Sequence, residues 1–106
     1  MATTALRSLF NHIEELRHTA RLSQVDVAAL IGVTRRTYVD WSQGGNMHDH
    51  RLHSLRYAQF IINQGLRTKQ LPVHGHDRRP LTAEKRREVI RDLKHCYPVN
   101  PYSLSE

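Results

Sequence analysis

Two neighbouring arginines, Arg35 and Arg36, directly follow Thr34 in the stretch GVTRRTYVDW, where Thr34 suits a helix N-cap and Gly44-Gly45 suits a stop. A helix N-terminus carries roughly half a positive charge, so a basic pair there loses on the order of 0.3–1 kcal/mol that an acidic pair would gain. Residues placed against a local preference need another reason. Guanidinium is a planar five-donor fork that meets phosphate oxygens, or the O6 and N7 edge of guanine, two bonds at a time. A second cluster suggests different chemistry. His48, Asp49, His50 and His53 fall within MHDHRLH, with His74 and His76 further on, and imidazoles beside a carboxylate imitate a metal-assisted hydrolase. No cysteine joins them and the two groups fall on different segments, so surface imidazoles next to a charged ligand are the better reading. No metal, other cofactor or enzymatic activity is expected.

Short amphipathic helices must position these side chains. Leu6, Leu9, Phe10, Ile13, Leu16 and Ala20 recur at helical spacing and predict a helix over 5–20. Ser23 caps a second, with Val27, Ala28 and Ile31 inward and Gly32 as its left-handed stop. A third, over 35–42, turns Tyr38 and Trp41 to one face. Leu52, Leu55, Ala58, Ile61 and Ile62 mark a fourth over 49–64, closed by Gly65, with Tyr57 and Phe60 beside its stripe. Residues 66–80, LRTKQLPVHGHDRRP, lack periodicity and read as a basic linker or arm. Thr82 caps a last helix over 83–96, whose narrow stripe of Val89, Ile90 and Leu93 suits docking on the fourth helix or pairing with a second copy. The division is therefore 1–65, a linker at 66–80, and a C-terminal helix and tail at 81–106 as a possible dimerisation element.

A chain of 106 residues allows one compact unit with appendages and no large multi-site enzyme. Its net charge is +6, and thirteen of its sixteen basic residues are arginine, a bias that points to nucleic acid. Most of the excess lies late: residues 48–106 hold eleven basic and six acidic residues, against five and four in 1–47. The lone Cys96 excludes an internal disulfide and suits a reducing compartment. The longest apolar run, VAALIGV, is far short of a membrane span, and the charged N-terminus does not read as a secretory signal. A cytoplasmic protein with no membrane partner is expected.

The run LSQVDVAALIGVTRRTYVDWSQGG resembles the lambda-repressor-like, or XRE/Cro, family of DNA-binding domains. The matching positions are Ser23-Gln24, Ala28, Gly32, Val33-Thr34, Tyr38, Trp41 and Gly44, within a resemblance covering about 5–62. Ser42 stands where the family usually has Glu, Tyr38 where it has Ile or Val, and no proline precedes the fourth helix. The resemblance implies an all-α, lambda-repressor-like helix-turn-helix bundle with a C-terminal linker and extra helix. It also implies that the N-terminal residues of the third helix enter the major groove.

Carried over, Arg35, Arg36 and Asp40 become readers of base edges, with Thr34, the cap, also among the DNA-binding residues and Thr37 near the DNA backbone or a thymine methyl. Gln24 meets phosphate and braces Arg35, while Gln43, Asn46 and the Gly44-Gly45-Asn46 amides face the sugar-phosphate backbone; the Tyr38 hydroxyl has a route to the DNA side. Together these imply a regulator of transcription, a repressor binding double-stranded DNA as a homodimer at an inverted repeat. The alternative is an antitoxin or adaptor whose C-terminal segment grips a protein partner. On the repressor reading a chain cut near Gly65 is expected to fold but to become monomeric and lose most operator affinity, with part of its salt dependence. Trp41 sits at the family's buried position, so Trp41→Ala should cost about 3–5 kcal/mol. A thermal melt checks this; near-native melting would place the indole outside the core.

Overall fold

The computed structural model describes residues 2–71, 73–74 and 79–98. Five helices carry the fold: α1 (Ala2–Ala20), α2 (Gln24–Ile31), α3 (Arg35–Ser42), α4 (Leu52–Arg67) and α5 (Ala83–Cys96). A 3-10 turn, Asp49–Arg51, leads into α4, and two short strands, β1 (Val73–His74) and β2 (Arg79–Pro80), pair antiparallel between α4 and α5. The chain is thus helical as expected, with a two-residue ladder inside the stretch read as a linker. His76 and Arg78, and the tail beyond Pro98, lie outside the described residues.

Packing of α1 on α4 forms the base, and α2 lies on both α3 and α4. Leu6, Phe10 and Ile13 of α1 and Leu55, Ala58, Ile61 and Ile62 of α4 are all essentially inaccessible to solvent. The ends of α2 are closed from both sides. Ser23 Oγ accepts from the Asp26 amide at 3.1 Å, and Asp26 Oδ2 accepts from the Ser23 amide at 2.9 Å, a reciprocal capping box. Gly32, at φ 93°, ends the helix with its N–H on the Ala28 carbonyl, a backbone geometry that glycine reaches at low cost. Three residues, Gly32-Val33-Thr34, then turn the chain into α3.

Gly65 corrects a sequence-based expectation. It does not close α4, which continues to Arg67, and it is buried. A Cβ built there would lie 2.6 Å from Leu71 Cδ1 and 3.1 Å from Leu93 Cδ1. Its smallness lets the returning chain and α5 approach the helix closely. The amides of Gln70 and Leu71 both donate to the Gly65 carbonyl as the chain folds back.

That close approach makes α5 part of the same interior. Leu71, Leu81, Val89, Ile90 and Leu93 join the residues of α1 to α4 in one continuous core. Of the two roles open to the Val89, Ile90 and Leu93 stripe, docking inside the chain is the one the structure shows. Beyond the stripe, the Tyr57 hydroxyl donates to the Tyr97 carbonyl at 2.6 Å, and Phe60 meets the Tyr97 ring edge-on.

A charge pair completes the attachment. Arg86 Nε donates to Asp26 Oδ2 at 2.6 Å and Arg86 Nη1 to the Leu81 carbonyl at 2.8 Å. Asp26 is the one buried charged residue among those described. A chain cut near Gly65 would therefore lose Leu71 and Leu93 from the core and leave the Asp26 carboxylate without its cation, so it should be less stable than the longer chain. Removing one partner of a buried pair costs about 3–5 kcal/mol, whereas replacing both by apolar residues is often close to neutral. Arg86→Met should therefore lower stability strongly, and Asp26→Leu/Arg86→Met should recover only part of the loss, because Asp26 also caps α2 through the Ser23 amide, as read by denaturant melts. A single variant as stable as the parent would show that the pair holds nothing together.

Candidate nucleic-acid interface

The N-terminus of α3 is capped by Thr34, whose Oγ1 accepts from the Thr37 amide at 3.1 Å while its hydroxyl donates to Thr37 Oγ1 at 3.0 Å. Both threonines are thus engaged with each other at the helix tip. Arg35 and Arg36 stand beside them, exposed and without an ion pair among the described residues. Helical spacing puts Arg36 and Asp40 one turn apart on the outward side, opposite Tyr38. Asp40, Gln43 and Asn46 are likewise exposed, and Gln24, the first residue of α2, is half-buried with no hydrogen bond to Arg35.

The inward side of α3 is anchored at two points. Tyr38 is fully buried and Trp41 nearly so, and both rings meet Phe10 of α1, at centroid distances of 5.1 Å and 6.0 Å. The C-terminal end is held from α1 as well. Arg7 donates through Nη1 to the Trp41 carbonyl and through Nη2 to the Gly45 carbonyl at 2.8 Å, placing a cation where the helix dipole is negative. Sequence reasoning missed Arg7, since a basic residue beside a core stripe looks like any solvated one.

Two expected contacts fall away. The Gly44 and Gly45 amides are spent inside the loop, on the carbonyls of Trp41 and Asp40, and are not turned outward to a ligand. The Tyr38 hydroxyl points to α1, where it donates to Glu14 Oε1, so it does not reach the outward face. Arg17 closes this cluster, donating from Nε to Glu14 Oε1 at 2.8 Å, from Nη2 to Glu14 Oε2 at 3.1 Å and from Nη1 to the Leu22 carbonyl at 3.1 Å.

Among the described residues the histidines are not gathered into one cluster. His48 and His50 stack at 5.6 Å, yet among the described residues no three His, Cys, Asp or Glu side chains are grouped to hold a metal ion. Nor is any helix among them long and apolar enough to cross a membrane. No protein-family model matches the chain, and neither does any curated protein or solved structure.

Burial pushes the Tyr38 hydroxyl well above its usual value, and the neighbouring Glu14 carboxylate adds to this. For Glu14, burial works upward but is outweighed by hydrogen bonds from Arg17 and Tyr38 and by the charges of Arg17 and His18, leaving its carboxyl below the usual range. A depressed native value means that Glu14 stabilises the fold above its unfolded pKa and loses that effect as pH falls through the folded one. Glu14→Gln should therefore lower the melting temperature at neutral pH, and the gap from the parent should close as acid protonates Glu14. Melts of both proteins across that range check this; a gap that does not change with pH would mean the carboxylate's charge is irrelevant.

Proposed function

We propose that the chain is a lambda-repressor-like helix-turn-helix protein that binds double-stranded DNA site-specifically and represses transcription. One observation carries the reading. Arg35 and Arg36 stand exposed at the N-terminal tip of a short helix that is held in the core through Tyr38 and Trp41. Two unpaired guanidinium forks on a rigid tip are suited to bidentate contacts with guanine, worth about 1–3 kcal/mol of discrimination each. Asp40, on the Arg36 side of the helix, suits cytosine N4, and Gln24, Thr37, Gln43 and Asn46 suit the flanking phosphates. A homodimer on an inverted repeat supplies the second half-site, and its contact falls to a surface other than the Val89, Ile90 and Leu93 stripe, which is taken up inside the chain.

Duplexes selected from a random pool by the parent protein provide the test. Arg35→Ala and Arg36→Ala should each weaken binding to the selected site by about 1–3 kcal/mol and relax preference at particular base pairs, with the melting temperature unchanged or slightly raised, because neither side chain has an ion pair among the described residues and each opposes the helix dipole. Glu15→Ala, at an exposed position of α1, should do little. An equal loss on selected and bulk DNA would make the arginines phosphate contacts, and failure to select any site would end the repressor reading.

A further inference from the structure

A groove of about 550 Å³ runs between α2 and α5, on surfaces that the proposed DNA contacts do not use. Its floor is apolar. Val25 is 54 % exposed, the one large hydrophobic side chain so exposed among the described residues, and Ala29 and Ile90 continue the floor. Along the α5 side stand Arg87, Arg91 and Lys94, all exposed and none with an ion pair among the described residues. Their spacing of four and then three residues puts them in one row on the helix, about 10 Å long. Arg86, at the base of the groove, is already neutralised by Asp26.

We propose that this groove is a docking site for a protein partner, and that the occupant is an amphipathic helix with an apolar stripe flanked by Asp or Glu. Charge complementarity selects it. Three unpaired cations in a row about two turns long match carboxylates at the same spacing on a facing helix, while Val25, Ala29 and Ile90 receive the apolar stripe. The volume lies within the range of sites that bury a few large side chains. Nucleic acid would use the cations but gain nothing from the apolar floor. A second copy of this chain would bring a net charge of +6 to an already basic rim. The site does not depend on the DNA reading and would stand if that reading failed.

The probe is a dye-labelled helical peptide of about 15 residues, with leucines at i, i+3, i+4 and i+7 and glutamates on both flanks. A matched peptide carries lysines in place of the glutamates. Fluorescence anisotropy with the full-length protein should show the glutamate peptide binding at least about tenfold tighter than its lysine counterpart, and more weakly as salt rises. Val25→Asp, at the second position of α2 where a carboxylate suits the helix dipole, and Arg87→Glu/Arg91→Glu should each weaken binding about tenfold or more at unchanged melting temperature. Ala29→Glu takes the place of Val25→Asp if the latter lowers the melt. Arg35→Ala/Arg36→Ala should leave peptide affinity as it was, which separates this site from the proposed DNA face.

Equal binding of the two peptides, no binding of either, or binding that the groove variants do not alter overturns the proposal. So does either of two other outcomes: Val25→Asp converting a dimer to a monomer in sedimentation, which would make the occupant a second copy, or Arg87→Glu/Arg91→Glu weakening duplex binding without affecting the peptide, which would make the row a phosphate track.

Discussion

Everything on the outward face of α3 depends on how its inward face is held. A helix of eight residues is too short to be stable alone in water, where even favourable sequences need about 12–15 residues, so α3 exists because Tyr38 and Trp41 are packed on Phe10. Phe10 is the pivot. It meets Tyr38 at a tilt and Trp41 edge-on, and the Arg7 guanidinium lies 5.8 Å from its ring centre while also holding the Trp41 carbonyl near the end of α3 and the Gly45 carbonyl in the loop beyond. Packing, aromatic geometry and dipole complementarity therefore act at one junction between α1 and α3. With that junction in place, Arg36 and Asp40 face away from Phe10, and Arg35 stands exposed at the helix tip beside them.

Polar contacts make the same junction specific. The Tyr38 hydroxyl, Glu14 and Arg17 form a closed set in which the phenol and the guanidinium both donate to the carboxylate. A buried phenol needs such an acceptor, and a half-buried carboxylate needs such donors. An aliphatic residue at position 38 would fill the same space without fixing the distance between α1 and α3. Tyrosine adds a directional bond, at the cost of requiring Glu14.

The second structural dependence runs from α2 to α5. Asp26 serves two purposes, capping α2 through the Ser23 amide and accepting from Arg86 sixty residues later. Its burial is tolerable because both requirements are met together. Gly65 makes the approach of α5 possible and the Asp26 pair sets its position, so the C-terminal segment is structural before it is anything else. Its remaining charges, Arg87, Arg91 and Lys94, border a groove that exists only because α5 lies against α2.

Local chemistry made much of this legible in the sequence alone. Ser23, Thr34 and Thr82 as caps, Gly32 as a left-handed stop, and the apolar spacing within each helix are short-range signals, and they mark α2, α3 and α5 to the residue. The outward role of Arg35 and Arg36 was implied by the family resemblance; periodicity alone sets Arg36 and Asp40 opposite Tyr38 but leaves Arg35 on the flank, one turn before Tyr38. What the sequence could not contain was the meaning of contacts between distant residues. Gly65 looked like a terminator because a glycine's local effect is to end helices, and only the nearness of Leu71 and Leu93 shows that it makes room. Arg7, Glu14 and Asp26 carry the same charges whether they face solvent or another helix, and Val89, Ile90 and Leu93 form the same stripe whichever surface they meet. Periodicity says which face is apolar; only the tertiary structure decides what covers it.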